Sequence, residues 1–140
     1  MSRWKCFVVR PSPASDPADP VMWTGVRDGE TITRTWDQMP PGAVAAFAAD
    51  DPSRDTVAHG KRYIGEDGYE VFVRLPGRVW WNIGAPSTGG GPGWTRSGAV
   101  PEITAHPSIH YVWTYHGYVR NGYVTDDVDG RQFNDEGRQQ

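Results

Sequence analysis

Hydrophobic and polar positions alternate most cleanly at residues 69–75, where Tyr69, Val71, Val73 and Leu75 fall on one side and Glu70, Phe72 and Arg74 on the other. A two-residue period puts successive side chains on opposite faces of a strand, so one face here is expected to be core. A Gly65-Glu66-Asp67-Gly68 turn precedes the segment and a Pro76-Gly77 turn follows it, with residues 63–64 and 79–83 reading as further strands of a meander. Residues 5–9 and 21–26 are shorter apolar runs of the same kind. Asp28-Gly29 predicts a primed hairpin turn into residues 31–36, because both residues tolerate positive φ. Asn121-Gly122 gives the same signal within residues 118–124, after another strand at 109–114. Residues 41–49 break the pattern. They are Ala-rich, open with Pro41, carry Val44 and Phe47 three apart and stop at Asp50-Asp51-Pro52, which predicts one short helix.

These elements predict an all-β or β-dominated α+β fold, a small antiparallel roll or sandwich of about eight short strands with one short helix. In this reading residues 1–124 form a single β-rich globular domain, with a Pro-rich connector at 10–20 and a Gly-rich loop at 84–93. Residues 125–140 hold five acids, two bases and only Val128 and Phe133 as large apolar side chains, so an acidic mobile tail is expected. Composition sharpens the fold class, because 14 valines, seven tryptophans and six tyrosines stand against a single leucine, Leu75. Such a core suits pleated sheets and not a helical bundle.

The net charge of −3 lies entirely in the last 16 residues, leaving residues 1–124 neutral. That body has no strong electrostatic footprint for nucleic acid. No apolar run is long enough for a membrane-spanning helix, and the apolar stretch in MSRWKCFVVR is too short for a signal peptide, so no membrane association and a cytoplasmic location are expected. The lone cysteine, Cys6, cannot form an intramolecular disulfide and reads as a small buried hydrophobe.

The second half of the chain carries motifs in a fixed order: Leu75, Pro76, Gly77, Trp80 or Trp81, and Ile83; then Trp94, Gly98, Pro101 and Thr104; then Pro107, Ser108 and Ile109; and finally Tyr115, His116, Gly117, Tyr118, Asn121 and Gly122. Over about residues 68–124 this order and spacing resemble a family of small proteins of actinobacterial phages and prophages, with W-x-x-x-G-x-x-P-x-x-T, PSI and YHGFL-x-NG segments. The resemblance implies a phage origin without naming an activity. Many such relatives carry cysteines around these motifs, suggesting a metal or redox site, whereas this chain has none there and Tyr115 stands where some have Cys. A phage protein of this kind is expected to act in the host cytoplasm, or else to belong to the virion.

Candidate chemistry concentrates in the same half. His106, His110 and His116 fall within eleven residues, and imidazole is a common zinc ligand, so a zinc-dependent enzyme using these three is one reading. Glu102 is the nearest acid in sequence. Ser108 between two histidines lacks the strand–turn–helix elbow of a hydrolase serine and suits a hydrogen-bonding turn residue. Thr125 to Glu136 approximates a calcium loop, but lacks the acid at its first position and flanking amphipathic helices. Trp80, Trp81, Trp94, Trp113, Tyr111, Tyr115 and Tyr118 bracket the Gly-rich loop, where aromatic anchors suit a partner surface as well as a core. The favoured expectation is a small phage-encoded accessory protein without a cofactor. It acts as a non-catalytic binding module for a host or phage protein through Trp81, Trp94, Ser108, Tyr115, His116 and Tyr118. The alternatives are the His-cluster metalloenzyme and a virion structural component.

Overall fold

The computed structural model describes residues 2–12, 21–85 and 95–140. Short alternating segments become β1 (Ser2–Lys5), β2 (Phe7–Pro11), β3 (Met22–Arg27), β4 (Glu30–Thr35), β5 (Ala43–Ala48), β6 (Tyr69–Leu75) and β7 (Val79–Asn82). The second half adds β8 (Thr95–Ser97), β9 (Thr104–His106), β10 (Ile109–Tyr111), β11 (Tyr115–Gly117), β12 (Val119–Arg120) and β13 (Tyr123–Thr125). The helical elements among the described residues are two 3-10 turns, Trp36–Gln38 and Pro52–Thr56. The fold is β-dominated, as the alternation predicts, although the expected strand at 5–9 divides in two, that at 109–114 stops at Tyr111, residues 63–64 are not a strand, and β5, β8, β9 and β11 form where none was expected, giving thirteen among the described residues.

Six strands form the main sheet in the order β4-β3-β2-β5-β6-β7, antiparallel throughout except where β2 runs parallel to β5. β1, β13 and β12 form a second sheet, and β8–β9 and β10–β11 are separate hairpins. The first strand divides at Cys6, whose N–H donates to Gly122 C=O while Phe7 N–H donates to Gly42 C=O, so the chain passes from one sheet into another. Asp28-Gly29 and Asn121-Gly122 both adopt positive φ at the tips of their hairpins, as the sequence predicts.

Both faces of the main sheet are buried along β5, β6 and β7, whereas β3 and β4 leave one face largely exposed, with Val26 59% exposed. Val44, Val71, Val73, Leu75 and Trp81 join Ile103, Ile109, Tyr115, Val119, Val124 and Phe133 on one side. Phe7, Val9, Trp23, Ala43, Ala45, Phe47 and Phe72 join Trp36 and Trp80 on the other. The alternation read at 69–75 is therefore present, but the side bearing Glu70, Phe72 and Arg74 is interior as well, and Tyr69 is exposed.

Two expectations are corrected. Residues 41–49 are not a helix, because Ala43, Ala45 and Phe47 pack on one side of β5 and Val44 on the other, between two aromatic-rich layers. A segment this short gains little from alanine's helix preference, and pairing with both β2 and β6 outweighs it. Residues 125–140 are not a detached tail. Phe133 is buried with ring centroids 6.3 Å from Trp4 and 6.4 Å from Tyr115, Arg3 donates to its carbonyl, and Gly77 N–H donates to Gly137 C=O. Their acids meet cations: Arg3 pairs with Asp126, Arg34 with Glu136, and Arg131 with Asp127 and Asp129. Partnering of the charge and one well-placed aromatic together offset the ordering entropy that composition alone suggested was prohibitive.

Candidate functional site

β10 and β11 pair antiparallel with Ile109 opposite Gly117, His110 opposite His116 and Tyr111 opposite Tyr115. Ile109 and Tyr115 point inward, which leaves His110 and His116 on the outer side. The Tyr115 hydroxyl donates to Thr125 C=O at 2.8 Å, and burial pushes its pKa up to about 12. Gly117 makes this possible, since a Cβ there would overlap the Tyr115 hydroxyl. Two members of the Tyr115-His116-Gly117 motif are thus a core latch.

The latch lets a mostly solvent-facing group form outside it. The rings of His110 and His116 stack at 4.3 Å between centroids, and His116 Nδ1 lies 3.2 Å from Asp129 Oδ2. One ligand atom from each of His110, His116 and Asp129 lies within 4.8 Å of the others, the spacing of a candidate metal group. Buried Asp127 holds the arrangement from below, accepting from His116 N–H at 3.0 Å, Asp129 N–H at 2.7 Å and Arg131 at 3.0 Å. Burial alone would raise the Asp127 pKa, but these hydrogen bonds and the Arg131 charge hold it below the usual range. Arg131 also reaches Asp129 at 3.4 Å, so it competes with any cation there.

At the tip of the hairpin, Thr114 N–H donates to Tyr111 C=O, closing a turn whose third residue, Trp113, has φ +71°. That conformation favours glycine and strains a bulky aromatic. Trp113 is nevertheless 84% exposed and its neighbour Val112 is 61% exposed. Thr114 braces the turn, lying so close to Gly77 that a Cβ on Gly77 would overlap its methyl group.

No protein-family model, curated protein or solved structure matches the chain.

The expected site residues separate into four groups. Trp81 and Tyr115 are core, because β7 and β11 turn these side chains into the apolar layer, so they cannot offer a binding surface. Trp94 lies outside the described residues, as does most of the Gly-rich loop and of the Pro-rich connector. Ser108 is half-buried in the link between β9 and β10, and Tyr118 is half-buried under the Arg120 guanidinium, 3.7 Å from its ring centroid. His116 and His110 come together as expected, whereas His106, exposed at the end of β9, is not part of their group and Asp129 takes its place. Pro107 accounts for the separation, since it lacks an N–H and interrupts the strand between the histidines. Sequence reasoning named Trp113 among the clustered aromatics but did not single it out with Val112 as an exposed tip, and it missed Asp127 and Asp129 as partners of His116. A Tyr-Val-Trp-Thr-Tyr run without Gly, Asn or Pro gave no turn signal, and the acids lay in the segment read as a tail. Buried Cys6 behaves as expected, its thiol pushed up to about 12 by burial and so inert at neutral pH.

Proposed function

We propose that this protein is a non-catalytic binding module whose β10–β11 hairpin inserts Trp113 into an apolar pocket of a partner protein. The observation that carries the reading is Trp113 itself: a tryptophan at a glycine-favouring position, 84% exposed, on a hairpin rooted in the core by Tyr115 and braced at Thr114. Strain retained at an exposed aromatic is economically explained by what the aromatic contacts in a complex. A preorganised tip also loses little conformational entropy on docking. Val112 extends the apolar contact, and His110 and His116 on the same hairpin supply polar flanks. The phage-like motifs support a phage-encoded accessory role in the host cytoplasm, the partner then being a host or phage protein.

The test uses Trp113→Gly and Trp113→Ala. Wild type is expected to retain a partner from host lysate, with iodide quenching of exposed tryptophan lost in the complex, and both folded variants are expected to lose that partner. Folded variants that retain it would overturn the reading.

The proximity of His110, His116 and Asp129 favours a second reading, a zinc site serving metal-dependent chemistry. Zinc titration decides it: saturable one-to-one binding abolished by His110→Ala supports the site, and its absence removes the metalloenzyme.

A further inference from the structure

A second region, on the aromatic-rich side of the main sheet, has an imbalance of charge that the chain itself does not resolve. A cleft of about 520 Å³ is lined by Arg34, Arg74, Arg78 and Arg138 together with Asp37 and Glu136. Its charged lining sums to +2 in a chain of net charge −3. Arg34 is neutralised by Glu136. Arg74 and Arg78 have no carboxylate ion-pair partner among the described residues, and both donate to the same neutral acceptor, Asp37 C=O, at 2.6 and 3.3 Å.

Arg74 is the more demanding of the two. It is 4% exposed, and its Nε–H donates to Met39 C=O at 3.0 Å. Burial, followed by the like charge of Arg78 and only partly opposed by the Asp37 carboxylate, lowers its pKa to about 10, so it still carries its charge at neutral pH. The other buried arginine, Arg54, shows how a guanidinium in this fold is ordinarily satisfied, with Glu70 Oε1 2.8 Å from its Nε. A desolvated cation without an ion-paired carboxylate is costly; Asp37 offsets it only from a distance, and two guanidinium groups converging on one carbonyl leave positive potential open toward the cleft.

We propose that this cleft binds the phosphate group of a small ligand, held between Arg74 at its floor and Arg78 at its rim. Forked guanidinium donors match phosphate oxygens, and a dianion balances the excess of two positive charges where a single carboxylate leaves one over. This site is independent of the Trp113 surface.

Inorganic phosphate and pyrophosphate are the probes, titrated into the full chain by calorimetry and followed by the melting temperature, with chloride at matched ionic strength and succinate as controls. Saturable binding of phosphate or pyrophosphate that raises the melting temperature more than either control is expected. Arg78→Asn, which removes the charge but tolerates the φ of +64° at this position, is expected to weaken binding by about tenfold or more. Asp37→Asn removes an opposing carboxylate and is expected to strengthen it. No binding by wild type, equal binding of succinate, or unchanged affinity in folded Arg78→Asn would each overturn the proposal.

Discussion

Strands β5 to β7 of the main sheet are covered on both faces, by different chemistry. On one face Val71, Val73, Leu75 and Trp81 meet a lid supplied by distant segments, chiefly β1, β9–β13 and Phe133. Among the described residues its polar groups are few: the Tyr115 hydroxyl, satisfied by Thr125, and at its margin the buried Asp127 carboxylate, paired with Arg131. The other face interleaves aromatics with charge. Trp36 stacks on Trp80 at 3.7 Å, Phe47 and Phe72 meet edge to face, and Glu70 and Arg74 project from β6 among them. An alternating strand with both sides interior does not send its polar residues to water; it commits them to internal partners. Arg54 and Glu70 do this as a pair, with Tyr63 N–H and Asn82 also donating to Glu70 Oε2.

The sharpest way to break the contrast is to remove the apolar lid. Deleting residues 126–140 strips Phe133 from Trp4 and Tyr115 and is expected to cost at least the ~3–5 kcal/mol of a buried aromatic truncation, read from the urea midpoint. An unchanged midpoint would mean that the lid does not depend on this segment. On the charged face, Glu70→Ala leaves Arg54 buried without its carboxylate and is expected to cost about 3–5 kcal/mol. Replacing both partners, as Arg54→Met with Glu70→Leu, should recover most of that loss; failure to recover would show that Arg54 acts mainly through its bonds to Gly60 and Lys61.

Acid titration separates the faces more gently. Burial raises the Glu70 pKa, but hydrogen bonds from Arg54, Tyr63 and Asn82 and the Arg54 charge outweigh it and hold the carboxyl below its ordinary 4.5. A group depressed in the folded state contributes its full stability above its unfolded pKa and loses it as pH falls through the folded value. Stability is therefore expected to be flat above about pH 5 and to decline below 4.5, less steeply in Glu70→Gln, whose baseline stability is lower. Equal slopes in circular-dichroism melts would assign the acid sensitivity to Asp67, Asp127 and Glu136, which are also held low. The smallest expected effect lies outside both faces. Trp113→Gly relieves a positive φ while uncovering no core, so thermal stability should stay level or rise by about 1–2 kcal/mol. A marked loss would place the tryptophan in the fold's own support.

Much of this architecture was legible because local chemistry and tertiary packing agree. Asp28-Gly29 and Asn121-Gly122 demand the turns they make, and the period at 69–75 survives as β6 with the same sidedness. Legibility failed where distant partners decide. Nothing near Ala43–Ala48 reveals that β2 and β6 will flank it, so its alanines read as helix. Nothing near Phe133 reveals Trp4, 129 positions earlier in the chain. The candidate site shows the same division. The nearness of His110 and His116 in sequence was plain, but their cross-strand pairing depends on a turn at Trp113 that no local residue signals, and Asp129 joins them only once the acidic segment is docked.

The pairing of β1 with β13 also bears on how this molecule is made. Ser2 sits opposite Thr125 and Lys5 opposite Tyr123, so β1 leaves the ribosome more than a hundred residues before the strand it pairs with. Closing so long a loop before any pairing energy is returned slows folding, toward the millisecond-to-second range of proteins dominated by non-local strands. During synthesis β2 to β7 can already assemble, while Trp4 and the inner side of β6 wait uncovered for residues 119–133. Translation speed between β7 and residue 133, and chaperone access to that waiting apolar face, should therefore govern the yield of native protein more strongly than events before β7 is complete.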